Sequence, residues 1–245
     1  MSFYNEISKY YDKIFPAGEE QLNFIKEAAG KKEARILDIA CGSGTYSVAL
    51  AKEGYKVTAV DIEEEMIRKL RDKADREKVN VEAFVCSMTE LEEKLTEKYQ
   101  VVFCIGNSLV HLKNHEEIED ALRQMYNLTA DDGIIIIQIM NYDRIIKLGL
   151  KELPTIINQE EGIEFIRKYD YKPELKKIDF NTTLIVKDGD NVKTFNNTVE
   201  LLPLLSNELA DIVEKAGFRR YECYGDFKAS PYKEDSYMLV LKAYR

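Results

Sequence analysis

Residues 36–62 read ILDIACGSGTYSVALAKEGYKVTAVDI, and this stretch decides the fold. It opens with a short apolar run followed at once by Gly42 and Gly44, which is typical of a buried strand that ends in a tight turn. Residues 45–53 have the apolar spacing of a helix, and a second apolar run then ends in Asp61. The stretch therefore predicts a βαβ unit with a glycine-rich first turn and an acid at the tip of its second strand.

The spacing of the glycines separates one class of cofactor from another. The dinucleotide fingerprint requires a third glycine, and Ser47 stands at that position. Asp38 instead places a carboxylate close to the turn, and Asp61 can accept both hydroxyls of a ribose. The set favours a cofactor with a cationic end and a ribose but no phosphate, and S-adenosylmethionine is such a molecule. A plain βαβ unit without a ligand is the alternative, which the ordered set of acids and glycines disfavours.

The segment DIACGSGT (residues 38–45) resembles the first motif of the class I S-adenosylmethionine-dependent methyltransferases, and Val60-Asp61 resembles their ribose-binding acid. The resemblance implies a doubly wound, mostly parallel, Rossmann-like α/β sheet of seven strands. It also implies that the glycine turn holds the methionine end of the cofactor and that Ile62 packs on the adenine. The expected cofactor-binding residues are Tyr11, Asp38, Ala40, Gly42, Ser43, Gly44, Asp61, Ile62, Met66, Ser87, Met88, Ile105 and Asn107.

Periodicity divides the chain into three parts. Helical and apolar segments alternate through residues 1–149, which predicts two N-terminal helices followed by a parallel sheet that binds the cofactor. Residues 150–205 form an insertion, where alternation with period two from Gly162 and the turn sequence Asp188-Gly189-Asp190-Asn191 predict three or four antiparallel strands. We expect this insertion to form a lid or small extra sheet over the carboxyl ends of the parallel strands. Residues 206–245 are expected to complete the core sheet with a helix and two strands.

Charge and composition exclude several classes of function. The chain has 245 residues and a formal charge of −9, which argues against a nucleic acid substrate. No apolar run approaches the length needed to span a membrane. The four cysteines show no CxxC spacing, and we expect them to be reduced and the protein to be cytoplasmic. His111 and His115 are four residues apart and could share a helix face, but no acid or cysteine cluster completes a metal site, so no metal is expected. The sequence leaves the oligomeric state open.

The segment CIGNSLVHL (residues 104–112) resembles the corresponding part of the glycine and sarcosine N-methyltransferases. The segment Asn141-Tyr142-Asp143 and the C-terminal GDFK at residues 225–228 extend this resemblance over most of the chain. It implies methyl transfer to a small molecule, most naturally to an amine nitrogen. For catalysis we expect Asn107 to orient the acceptor and His111 to accept a proton, although a structural role for His111 is the alternative. The expected substrate-binding residues are Tyr10, Met140, Tyr142, Arg144 and Tyr232.

One departure bears on the acceptor. Met140 stands where the glycine N-methyltransferases have an arginine that clamps the substrate carboxylate, and a thioether cannot replace that charge. Free glycine is therefore expected to be a poor substrate unless Arg144 takes over. The N-terminal helices and the insertion also resemble the amino-sugar N-methyltransferases, so another small amine remains open. An O- or C-methyltransferase of the same fold and a non-catalytic cofactor-binding protein remain alternatives, whereas Ser47 disfavours a nicotinamide oxidoreductase.

Overall fold

A computed structural model of the chain describes residues 3–189 and 191–245; Asp190, in the predicted hairpin turn, lies outside the described residues. The strands are β1 (Arg35–Ile39), β2 (Lys56–Asp61), β3 (Val81–Val85), β4 (Tyr99–Cys104), β5 (Thr129–Met140), β6 (Glu152–Asn158), β7 (Ile163–Lys172), β8 (Lys177–Asp188), β9 (Asn191–Leu201), β10 (Arg220–Tyr224) and β11 (Met238–Tyr244). The helices are α1 (Phe3–Ile14), α2 (Glu19–Ala29), α3 (Thr45–Lys52), α4 (Glu64–Glu77), α5 (Leu91–Lys94), α6 (His115–Leu128), α7 (Tyr142–Leu148) and α8 (Ser206–Ala216), with a 3-10 helix at Leu109–His111.

Seven strands form the main sheet, in the order β10-β11-β5-β4-β1-β2-β3. Strands β1 to β5 are parallel, whereas β11 runs antiparallel to β5 and β10 antiparallel to β11. This confirms the predicted doubly wound, mostly parallel sheet. The strand order reverses beside β1, because β2 lies on one side of it and β4 on the other. In open α/β sheets, ligands bind outside the carboxyl ends of the strands at such a switch point.

Apolar side chains cover both faces of this sheet, as expected for parallel strands that helices shield from water. On one face, Leu37, Val102 and Ile135 are fully buried in a cluster that includes residues of α6 and α8. On the other face, Ile36 and Phe103 are fully buried with residues of α2 and α3. Because the two clusters take alternate residues of each strand, the βαβ pattern in the sequence corresponds directly to the packing.

A second sheet of four antiparallel strands, in the order β6-β7-β8-β9, is the predicted insertion. It meets the main sheet near the carboxyl end of β4, where the Leu202 amide donates to the Val110 carbonyl at 2.9 Å. Its inner face also packs against α1, since Phe165 and Leu184 share a buried cluster with Ile7 and Ile14. The second sheet thus lies on the side of the main sheet where the predicted site residues follow their strands.

Two strands begin earlier than the sequence predicts, and each has a physical reason. Strand β6 starts at Glu152, ahead of the alternation that begins at Gly162, because a register shift between Leu153 and Ile156 interrupts its period of two. The apolar run GIIIIQIM predicts a strand over residues 133–140, but β5 starts at Thr129, since Thr129 pairs with Tyr99 before another register shift. Among the described residues, no helix is long and apolar enough to cross a membrane.

Candidate cofactor and acceptor site

The glycine turn after β1 is closely packed on two sides. Gly42 and Gly44 have φ values of 55° and 74°, in the left-handed region that favours glycine. A Cβ atom on Gly44 would lie 2.2 Å from Leu70 of α4, and one on Gly42 would lie 3.0 Å from the ring of Tyr11. The predicted cofactor residue Tyr11 therefore lies against the turn, and the two glycines allow α1 and α4 to approach the backbone.

Asp61 links the first motif to the second. Its carboxylate accepts hydrogen bonds from the Gly42 amide at 2.7 Å and from the Glu63 amide at 2.9 Å. Burial raises the pKa of Asp61, and these amides oppose that rise. A carboxylate has about four lone-pair sites, so these backbone amides do not exhaust its capacity to accept from other donors such as ribose hydroxyls. The neighbouring Ile62 is 68% exposed, which leaves its apolar surface free to pack against a flat ring.

Asp38 is a second buried acid beside the turn. Its carboxylate accepts a hydrogen bond from Ser47 of α3 at 2.5 Å. Burial raises the pKa of Asp38 to about 7, and the negative charge of Asp61 adds to that rise although Ser47 opposes it. In the described part of the chain, no lysine or arginine forms an ion pair with Asp38 or Asp61. Two buried carboxylates without a cation fit a ligand that supplies a positive charge and hydroxyl groups, as S-adenosylmethionine does.

A polar latch that the sequence analysis missed holds α1 over the turn. Asp12 accepts hydrogen bonds from the hydroxyls of Ser43 and Thr45 and forms an ion pair with Lys73 of α4 at 2.7 Å. Burial opposes ionisation of Asp12, but Lys73 and the two hydroxyls together lower its pKa. No local pattern identifies Asp12, because its partners lie on two other segments. The predicted residue Ser43 thus contacts α1 through its side chain.

Asn107 joins the ends of β4 and β5. Its Oδ1 accepts from the Met140 amide at 2.9 Å, and its Nδ2 donates to the Tyr142 hydroxyl at 3.0 Å. Tyr142 is fully buried, and Met140 is 8% exposed. The structure therefore brings these three predicted residues together, and the buried Tyr142 contacts Asn107 through its hydroxyl. Beside them, Gly106 is exposed, and a Cβ atom there would find only the Ser108 hydroxyl within 4 Å.

The other predicted acceptor residues have different surroundings. His111 ends the 3-10 helix and is exposed, yet desolvation by the surrounding protein lowers its pKa, so the imidazole is neutral at pH 7. His115 begins α6, so the two histidines, which could have shared one helix face, lie on different helices. The Tyr232 hydroxyl donates to Asn141 at 2.9 Å. Arg144 is half-buried on α7, and Tyr10 packs on the second sheet.

The remaining predicted cofactor residues line the ends of the central strands. The Ser87 hydroxyl pairs with that of Thr89 at 2.8 Å, and Met88 packs partly buried against the core. Met66 and Ile105 are buried, and Ala40 has a φ of 57° where β1 leads into the turn. Their roles, like those of the acceptor residues, stay predictions. In the part of the chain that the structure describes, no three acid, histidine or cysteine side chains are grouped to hold a metal, and all four cysteines are free.

Comparison with known proteins identifies this geometry. The methyltransferase domain family matches residues 36–133, which span β1 to the start of β5 and include both acids. This chain is a class I S-adenosylmethionine-dependent methyltransferase. The glycine/sarcosine N-methyltransferase of Aphanothece halophytica is 25% identical to the methyltransferase over 232 residues, which cover 95% of this chain and 83% of that protein.

Two solved structures share the fold of the methyltransferase over its full length. An S-adenosylmethionine-dependent methyltransferase from Clostridium acetobutylicum has a TM-score of 0.81 at 15% identity, with 99% of each chain covered. A sugar N-methyltransferase from a Streptoalloteichus species has a TM-score of 0.69 at 16% identity, covering 99% of this chain and 92% of its own. Both matches include the second sheet as well as the main sheet. At these identities they establish the fold of the methyltransferase.

Bound S-adenosylmethionine supplies a methyl group on a sulfonium, which is already activated for displacement. The methyltransferase must therefore mainly hold cofactor and acceptor in line and exclude water. Asp38, Asp61 and the turn at Gly42, which are the predicted cofactor-binding residues, lie together, and Tyr11 of α1 packs against the turn. Hydrogen bonds from Asn107 to Met140 and Tyr142 connect the ends of β4 and β5, where the acceptor residues are predicted.

Proposed function

We propose that the methyltransferase transfers its methyl group to the amine nitrogen of a small molecule. The similarity to a glycine/sarcosine N-methyltransferase over 95% of the chain carries this proposal. The fold shared with a sugar N-methyltransferase, including the second sheet, also supports a small amine acceptor. The net charge of −9 disfavours a nucleic acid as partner, and the free cysteines support a cytoplasmic location.

The acceptor site lies, in this proposal, between the carboxyl ends of β4 and β5, helix α1 and the inner face of the second sheet. Residues 150–205 act as its lid, residues 1–149 bind the cofactor, and residues 206–245 complete the main sheet. Asn107 orients the acceptor by fixing the positions of Met140 and Tyr142, since both polar atoms of its side chain have these residues as partners. Tyr10, Met140, Arg144 and Tyr232 surround this region on four different segments, with Tyr142 beneath it.

His111 is the proposed proton acceptor. An amine attacks only as the neutral base, so an ammonium acceptor must first lose a proton. The lowered pKa of His111 keeps its imidazole neutral, and its exposed position gives it a path to solvent. The hydroxyls of Ser108, Tyr142 and Tyr232 already donate to, or accept from, other protein groups.

Turnover with methyl-labelled cofactor tests the proposal. We would offer a panel of small amines in parallel with alcohols and phenols of the same carbon skeleton and identify the methylated atom by NMR. Methylation at nitrogen, absent from Asp61→Ala, is the expected result. Methylation of hydroxyls or carbon instead would replace the proposal with another acceptor atom, and cofactor binding without turnover on any class would contradict it.

A further inference from the structure

A polar row crosses the inner face of the second sheet, between rows in which the buried residues are apolar. In the antiparallel pairing, Arg167 of β7 lies directly between Leu153 and Thr182, and Thr182 lies opposite Asn197 of β9. Directly opposed residues project to the same face of a sheet. The residues two positions away on β7, Phe165 and Tyr169, are 2% and 4% exposed, so Arg167 shares the buried face with them. We call Arg167, Thr182 and Asn197 the polar row.

The apolar rows on either side locate the polar row relative to the site. On one side, Phe165 contacts Phe15 of α1 with ring centroids 5.6 Å apart, and Phe15 contacts Tyr11 at 5.2 Å. Tyr11 is the residue that lies against the glycine turn. On the other side, Tyr169 belongs to the same buried cluster as Met140 and Tyr142. The polar row therefore lies between two features of the predicted site: helix α1, which packs against the glycine turn, and Met140 at the end of β5.

Arg167 lacks the partners that a structural arginine has. One Nη donates to the Pro154 carbonyl at 2.7 Å, but Nε is buried and has no hydrogen-bond partner in the described residues. Within the same residues no carboxylate forms an ion pair with this guanidinium, whereas Lys172 and Lys187 of the same sheet each pair with a carboxylate. A guanidinium whose buried Nε–H has no partner is stabilised by an oxyanion, and its planar fork suits a carboxylate.

We propose that the polar row binds a carboxylate on the amine acceptor, with Arg167 as the residue that determines this specificity. The inference rests on the proposed amine methylation and narrows its substrate class to amines that carry a carboxylate. The Thr182 hydroxyl, on a residue that is 4% exposed, donates to the Asn197 backbone carbonyl, so the Asn197 side-chain amide is the further donor along the same row. The row also replaces, from the second sheet, the positive charge that Met140 does not provide at the end of β5.

The first test measures binding without turnover. In the methyltransferase saturated with S-adenosylhomocysteine, acetate should shift the NMR signals of the Arg167 Nε–H and the Asn197 side-chain amide, whereas acetamide should not. Arg167→Met should abolish the acetate response at Asn197, and Lys168→Met, on the neighbouring exposed position of β7, should preserve it. An unshifted Arg167 signal, or a response that survives Arg167→Met, would overturn the inference. If Arg167→Met does not fold, Arg167→Lys replaces it, with a weakened response expected and an unchanged response contradicting the inference.

The second test uses turnover and separates the two proposals. Each carboxylate-bearing amine in the panel is compared with its own primary amide. We expect kcat/KM to favour the carboxylate by at least about tenfold, and Arg167→Met to reduce this ratio to near one. Methylation of amines without that preference would leave the proposed function standing and defeat this inference. An Arg167-dependent acetate response in an enzyme that methylates no amine would leave the carboxylate site at Arg167 standing and defeat the proposed amine methylation.

Discussion

The Ser47 hydroxyl donates a hydrogen bond of 2.5 Å to the Asp38 carboxylate, and both side chains are buried. Ser47 occupies the position where a dinucleotide-binding chain has its third glycine. A serine there disfavours a pyrophosphate and also has a structural role. It ties α3 to β1 and gives a buried carboxylate a donor. Since burial raises the pKa of Asp38 to about 7, this bond is the main local influence that favours its ionised form.

Ser47→Ala should weaken cofactor binding without unfolding the chain. A hydrogen bond to a charged group contributes roughly 1.5–3 kcal/mol, so the affinity for S-adenosylmethionine should fall by about tenfold or more at pH 7. Calorimetric titration at pH 7 and pH 9 checks this, and the loss should be smaller at pH 9, where Asp38 is ionised in both proteins. An unchanged affinity at both pH values would show that Asp38 does not contact the cofactor.

Cofactor affinity should rise with pH up to about pH 7, because a cationic ligand binds the ionised Asp38 and burial raises the pKa of that carboxyl from 3.8 to about 7. Below the pKa the gain is about tenfold per pH unit for a single group. The folding stability of the cofactor-free protein should fall over the same range of pH. Its folded state keeps the proton up to about pH 7, whereas the unfolded chain releases it near 3.8, so stability from this group is lost as the pH rises through that window.

Thermal unfolding of the cofactor-free protein between pH 4 and 8 and calorimetry over the same range measure the two trends. Asp38→Asn, which cannot ionise, should flatten the fall in stability and abolish the pH dependence of binding. A free protein that becomes more stable from pH 5 to 7, with Asp38→Asn behaving identically, would contradict the assignment.

Asp61→Ala should weaken binding of S-adenosylhomocysteine sharply. The variant removes two potential ribose contacts at roughly 1.5–3 kcal/mol each, and it also frees the Gly42 amide that the carboxylate holds at 2.7 Å. Because the side chain is buried without a cation, its removal should not lower the unfolding temperature greatly. Asp61→Asn separates the two effects, since the amide oxygen can still accept from Gly42. Equal calorimetric affinity in all three proteins would remove Asp61 from the cofactor site.

The parallel core could be predicted from sequence because its information is local. Each strand of residues 36–62 is an apolar run bounded by glycine or an acid, and each helix has its own spacing. The early start of β6 was missed because the register shift after Leu153 interrupts the alternation on which strand prediction depends. Asp12 and Arg167 were missed for a different reason. Their importance comes from partners brought together by the fold, which no spacing along the chain encodes.

Asp12→Ala should loosen the latch over the turn without removing a cofactor contact. Asp12 is about half exposed, so its ion pair with Lys73 contributes little, at most about 1 kcal/mol. We therefore expect a several-fold faster release of S-adenosylmethionine, measured by stopped-flow fluorescence, with a small change in unfolding temperature. Lys13→Ala, which removes an ion pair from the same helix to Glu161 of the second sheet, is the matched control. Release at the unaltered rate in Asp12→Ala would show that α1 does not restrain the cofactor through this latch.

Met140→Arg should raise activity on glycine. In the natural protein, Met140 lies at the end of β5 where the resemblance to glycine N-methyltransferases places a carboxylate clamp, and glycine has only one carbon between its amine and its carboxylate. Arg167 lies on the second sheet, two residues before Tyr169, which shares a buried cluster with Met140. A carboxylate held by the polar row should therefore suit a different spacing from one held at position 140. Free glycine should be a poor substrate, by at least about a hundredfold in kcat/KM relative to an enzyme with the clamp.

Met140 is 8% exposed and packs in an apolar cluster. Because Met140→Arg places a charge there, the free energy of unfolding should fall as the activity on glycine rises. Comparing kcat/KM for glycine, β-alanine and γ-aminobutyrate in the natural protein and in Met140→Arg measures both effects at once. The variant should move the preference toward glycine, and the double change Met140→Arg with Arg167→Met should move it further, because the competing cation is gone. Efficient methylation of glycine by the natural protein would show that position 140 is not the missing clamp. Retention of that activity in Arg144→Met and its loss in Arg167→Met would then place the glycine carboxylate on the polar row itself.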